Sequence, residues 1–139
     1  MLAELRYHIR RFLRRREVAA RGVGIEPQQY LLLLQVKGLT GKRAPTIGTL
    51  AEQLQLRHHS VVELVDRLVT RGMVERRRDS PDRREVVVSL RPRGEAVLRQ
   101  LALYSLRELA TEGPALVSAL NRLIGSRVRA ARRRSHANR

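Results

Sequence analysis

The sequence predicts a mainly α-helical chain with one small β-hairpin, and three observations carry that prediction. Apolar residues recur at spacings of three and four through most of the chain. The period changes to two only after Gly72, in a valine-rich stretch that ends at Leu90. Just before that change, two helical segments are separated by no more than Gln55 and Leu56. The 139 residues fit one ordinary domain, 1–139, long enough to bury a real core without disulfides or a metal.

Leu2, Leu5, Ile9, Phe12 and Leu13 form an apolar stripe with arginines on the remaining faces, so the first twenty residues read as an amphipathic helix. Gly22 and Gly24 end it. Pro27 suits the first turn of a second helix, whose run 30–36 is apolar nearly all round and is expected to be buried; Gly38 and Gly41 close it. After a basic loop at 42–45, Thr46 can cap a short third helix carrying Ile47, Leu50, Ala51 and Leu54. The next helix spans 57–71, with Val61, Leu64, Val65, Leu68 and Val69 inside and Gly72 as its C-cap. Two helices joined by so short a turn make a helix-turn-helix.

Residues 73–77 and 85–90 then read as two strands around a polar turn containing Ser80, Pro81 and Asp82. Arg83 and Arg84 sit at the tip and Arg76, Arg77 and Arg78 along one arm, which makes the hairpin a basic wing. From Pro92 the helical period returns through Ala96, Val97, Leu101, Tyr104 and Leu109. Gly113-Pro114 is expected to break it and open a last helix through Leu116, Val117, Leu120, Leu123, Ile124 and Val128. Beyond Gly125 the arginines accumulate without an acid, and a frayed basic tail is expected, with 135–139 at its end.

Charge narrows the function. Lys plus Arg number 29 against 13 acids, a net charge of +16, and only Lys37 and Lys42 are lysines. Such an excess self-repels and calls for a polyanion, nucleic acid before an anionic membrane surface. The absence of cysteine excludes disulfides, thiolate metal sites and thiol redox sensing. The arginine-studded N-terminus has no apolar core of a secretory signal, and no stretch reaches the roughly 20 apolar residues that span a bilayer. A cytoplasmic protein without membrane contact is expected. His58 and His59 cannot share one ion, because helix neighbours point about 100° apart, and no metal or other cofactor is expected. Ser60 beside His59 is not a catalytic pair for the same reason, and no catalytic residues are assigned.

A helix-turn-helix followed by a hairpin places its second helix in the major groove and its wing on the backbone or in the minor groove. The candidate base readers are the outer, N-terminal positions of that helix: Arg57, His58, His59, Ser60, Val62 and Glu63. Arginine can fork onto guanine, valine can pack on a thymine methyl, and a carboxylate can accept from a cytosine amino group. Thr46, Arg67, Arg76, Arg78, Arg83 and Arg84 are candidates for phosphate or wing contacts, and Arg71 for a phosphate or an intramolecular pair. Asp66 is expected to pair with a nearby arginine.

The run Leu64-Val65-Asp66-Arg67-Leu68, then Arg71-Gly72-Met73-Val74, then Asp79-Ser80-Pro81-Asp82-Arg83-Arg84, with Leu90 and Gly94 beyond the second strand, resembles the MarR family of bacterial regulators. The resemblance implies a winged helix-turn-helix lobe at 42–91 and intertwined N- and C-terminal dimerisation helices at 1–37 and 92–134. It also implies a homodimer, with Arg84 as the minor-groove contact and Asp79 and Asp82 shaping the tip. Val62 and Glu63 depart from the polar residue and arginine common there, so the operator is this chain's own. Leu90-Arg91 replaces a frequent Leu-Thr and changes only a cap.

The expected function is a repressor that binds a pseudo-palindrome in double-stranded DNA, with a small aromatic effector as a further partner. Tyr7, His8, Phe12, Tyr30 and Tyr104 are the candidates for an effector crevice. The alternative is a sequence-neutral architectural protein, for which charge alone would suffice.

Overall fold

The computed structural model describes residues 1–78 and 85–137. In chain order the elements are α1 (Leu2–Gly22), α2 (Pro27–Leu39), α3 (Ile47–Leu54), α4 (His58–Thr70), β1 (Val74–Arg77), β2 (Val87–Leu90) and α5 (Pro92–Ala137). They fall into two units, residues 19–102, and residues 1–18 with the chain from Leu103 onward.

The 19–102 unit has its own core. Ile25, Leu32, Leu33 and Val36 join Leu50 of α3, Val61, Val65 and Leu68 of α4, and Val74 and Val88 of the hairpin, all almost wholly excluded from solvent. The α2 helix, expected among the dimerisation helices, packs here against α3, α4 and β2. It is not buried all round. Leu31 and Leu34 are 45% and 43% exposed, because only the face carrying Tyr30, Leu32, Leu33 and Val36 meets a neighbour.

Local chemistry sets the joints. Thr46 is the N-cap of α3, its hydroxyl accepting from the Thr49 N–H at 3.1 Å. Gln55 ends α3 in the left-handed region (φ 55), and the Leu56 N–H returns to the Ala51 carbonyl. Gly72 (φ 69) turns the chain from α4 into the hairpin. The strands pair antiparallel, Val74 opposite Leu90 and Arg76 opposite Val88, and a bridge from Thr46 to Val87 ties the base of the wing to the start of α3.

In the second unit α1 and α5 are joined by ion pairs. Arg15 reaches Glu108 (2.8 Å) and Glu112 (3.1 Å), Arg11 reaches Glu112, and Arg122 reaches Glu4. The hydrogen bond that Arg15 donates to Glu108 is the main cause that raises its guanidinium above the usual arginine range. Arg16 lies over the Phe12 ring, 3.4 Å from its centre, and donates to the Ser105 carbonyl.

Two expectations fail in α5. Gly113-Pro114 does not break it: one helix of 46 residues runs through Pro114. The more covered positions Ser105, Glu108, Glu112, Leu116, Ala119, Leu123 and Ser126 keep helical spacing across the proline, which itself faces solvent. Pairs to α1 on both sides of it, at Glu108 and Glu112 and again at Arg122, hold that register. The tail is not frayed where it begins either, since helix continues to Ala137. An interior proline lacks the N–H that would bond the carbonyl of Ala110 and strains the turn before it. Pro114→Ala is therefore expected to stabilise the protein by about 1–3 kcal/mol, read as a higher Tm in thermal unfolding.

Candidate nucleic-acid interface

The α4 helix divides sharply between two faces. Val61, Leu64, Val65 and Leu68 are buried, while Arg57, His58, His59, Glu63, Asp66 and Arg67 are exposed; Ser60 and Val62 are partly covered. The core therefore fixes the rotation of the helix, and with it which residues face outward. Arg57 occupies the N-cap position with extended backbone (φ −70, ψ 150), and its side chain makes no capping bond. The first turn holds no acid, so Arg57 and the two histidines stand at the positive end of the helix dipole. The Arg57 cation is unfavourable at that end in isolation, and an anion placed there relieves both the dipole and its charge.

A cleft of about 400 Å³ extends this surface. Thr46, Ile47, Gly48, His58, Glu85 and Val86 line it, so the starts of α3 and α4 and the approach to β2 share one edge. Of the sequence candidates it joins Thr46 to His58. Ile47, Gly48, Glu85 and Val86 were not foreseen, because the cleft arises from the long-range bridge of Thr46 to Val87, which periodicity does not encode. The Thr46 hydroxyl is already engaged with the backbone and hydroxyl of Thr49.

The basic candidates separate by what else they hold. Arg76 pairs with Asp66, so the arginine partner expected for that carboxylate comes from the wing and ties it to α4. Arg71 turns inward, donating to the Gly24 carbonyl (2.7 Å) and to the side-chain oxygen of buried Gln29 (3.0 Å). Its duty is thus within the chain, one of the two roles the sequence left open. Arg67 and Arg78 are exposed. Arg83 and Arg84, with Asp79 and Asp82, lie outside the described residues.

The aromatic candidates do not form one group. Tyr30 is a core residue of the 19–102 unit, 5% exposed. Tyr7, His8, Phe12 and Tyr104 belong to the other unit, where the Tyr7 and His8 rings meet edge to face at 5.3 Å. The His8 Nδ1 is buried and has no hydrogen-bond partner among the described residues. Among those residues no cluster of three metal-ligating side chains occurs, and no helix is long and apolar enough to cross a membrane.

The sequence pattern of the MarR family matches residues 23–85, which contain α2, the helix-turn-helix and β1. No curated protein matches the chain. Among solved structures, a probable transcriptional regulator from Pseudomonas aeruginosa is 31% identical, with 83% of this chain and 92% of that one covered and a TM-score of 0.60. AbsC, a MarR family transcriptional regulator from Streptomyces coelicolor, has a TM-score of 0.71 at 16% identity, covering 91% and 88%. A mutant MepR from S. aureus, bound to an oligodeoxyribonucleotide, has a TM-score of 0.65 at 16% identity, covering 87% and 93%. At 16% identity the last two likenesses concern the fold alone.

Proposed function

The chain belongs to the MarR family of transcriptional regulators, DNA-binding proteins rather than enzymes, and from that premise we propose that it is a homodimeric repressor occupying a two-fold-symmetric operator. The observation that carries this reading is the divided surface of α4, a buried leucine-valine face that fixes the helix and an outer N-terminal end with Arg57, His58, His59 and Glu63 exposed. Two such helices related by two-fold symmetry would read half-sites about one helical turn apart. In this reading Ser60 and Val62 complete the base contacts, Arg67, Arg78 and the wing arginines Arg83 and Arg84 hold phosphates or the minor groove, and Arg76 braces the wing. Thr46, whose hydroxyl and N–H donate within the chain, serves as the cap of α3.

Dimerisation is supported by apolar surface on a highly charged pair of helices. Leu106, Leu109, Val117, Leu120, Ile124 and Val128 follow helical spacing along α5 and are each between 45% and 65% exposed. A stripe of that length on a soluble chain needs a cover, and a second copy presents the same stripe. Release by a small aromatic effector is supported by His8, whose buried Nδ1 has no hydrogen-bond partner among the described residues and whose ring meets that of Tyr7 edge to face. A phenol could donate to it.

One titration tests the reading. At near-physiological salt the protein is expected to bind its own upstream DNA at least 1,000-fold more tightly, on the order of the usual specificity ratio, than a scrambled duplex. Equal affinities would leave the architectural alternative standing. Sedimentation is expected to give a dimer. The same titration, repeated with a panel of small phenols and aromatic carboxylates, is expected to find one that weakens operator binding.

A further inference from the structure

Most of the net positive charge is not on the DNA-reading unit. Residues 1–18 with 103–139 carry fourteen arginines against four acids, ten of the sixteen net charges, on 55 of the 139 residues. All four carboxylates are already engaged: Glu4 with Arg122, Glu17 with Arg14, Glu108 with Arg15, and Glu112 with both Arg11 and Arg15. After Glu112 the sequence holds no further acid. Arg127, Arg129, Arg132, Arg133 and Arg134 nevertheless lie on continuous helix, all exposed. Arginines at spacings of three and four repel one another along a helix. The dipole offsets this only in the last turn. A helix of this composition is stabilised by a polyanion.

We propose that the helical segment 127–137 is a second nucleic-acid contact, one that holds the sugar-phosphate backbone of duplex DNA without reading sequence. The geometry suits a strand. Arg127 and Arg134 stand on one face, seven residues and about 10 Å apart, which matches about three base steps measured along the duplex axis. Between them Ala130 and Ala131 form a small-residue floor, and the four residues line a groove of about 550 Å³. Alanine lets a backbone approach closely, and two planar guanidinium groups at the ends fork onto phosphate oxygens. A membrane surface is the poorer occupant. An interfacial helix needs a bulky apolar face opposite its charges, and from Arg127 onward Val128 is the only large aliphatic residue.

This inference rests on the DNA-binding reading but makes a separate prediction. The variant R127Q/R134Q keeps helix propensity, because glutamine and arginine are nearly equal formers. Its far-UV circular dichroism and dimer mass are expected to be unchanged. Bound to a duplex of at least 40 base pairs containing the upstream operator, it is expected to lose about ten-fold in affinity at 150 mM salt. The slope of log K against log salt should fall by about 2 to 4, on the scale of 0.9 per phosphate contact over two protomers. The affinity ratio between operator and scrambled duplex should stay as in wild type, since only backbone contacts are removed. An unchanged slope and affinity overturns the proposal. So does a variant that binds DNA as wild type does but loses binding to phosphatidylserine vesicles, which would assign the segment to membranes. A wild-type protein with no preference for its operator would sink the repressor reading, while a reduced slope in the variant would still support this one.

Discussion

Gly94→Ala is expected to destabilise the protein by about 3 kcal/mol, lowering Tm by about 10 °C. A methyl group on Gly94 would stand 2.3 Å from the carbonyl oxygen of Met73 and 3.2 Å from its carbonyl carbon. Backbone cannot rotate out of the way as a side-chain tip can. That carbonyl also accepts the Arg91 N–H at 2.9 Å, and the Met73 N–H returns to Leu68 of α4 at 2.9 Å. Met73 and Val74 are buried, so displacing the strand opens the core on both sides. The control is Gly125→Ala in the same helix. Its added methyl meets the tip of the Arg129 side chain at 3.9 Å, an ordinary contact. There alanine is expected to stabilise by about 0.5 to 1 kcal/mol, because glycine weakens a helix interior. If the two variants unfold at the same temperature, the close approach of α5 to the α4–β1 joint is not a constraint.

That joint shows where reading a sequence stops. The α3-turn-α4 unit, the hairpin and the inner face of α4 were legible, since each is written in local periodicity and in residues such as Thr46 and Gly72 that perform one backbone task. The proximity of Gly94 to Met73 is set by two segments twenty-one residues apart and leaves no periodic trace. Arg71 and Arg76 illustrate the same limit for charge. Composition counts them as free cations, yet one satisfies Gln29 and Gly24 and the other Asp66. Pro114 misled because a proline after a glycine is a helix breaker in isolation, whereas here the covered face of α5 stays in phase across it. Leu31 and Leu34 misled in the opposite sense. An apolar run does not say how many of its faces have neighbours.

The division of α4 into a buried and an outer face leads to the sharpest functional expectation. Arg57→Ala should cost about 3 kcal/mol of operator binding, on the order of a hundred-fold, from a base contact worth roughly 1–3 kcal/mol repeated in two half-sites. Stability should scarcely change, because the arginine side chain makes no capping bond and neither residue is a good N-cap. Binding to scrambled DNA should fall far less. Arg67→Ala is the contrast: a phosphate contact there predicts similar losses on both duplexes and a shallower salt slope. Glu63→Gln tests the reading of sequence itself. A carboxylate accepts from a cytosine amino group, whereas an amide can both donate to and accept from adenine. Selection from a randomised half-site library should therefore move from cytosine to adenine at one position and leave the others unaltered. If Arg57→Ala weakens operator and scrambled DNA equally, Arg57 is a backbone contact. If Glu63→Gln selects the same sites as wild type, the reading passes to His58, His59 and Val62.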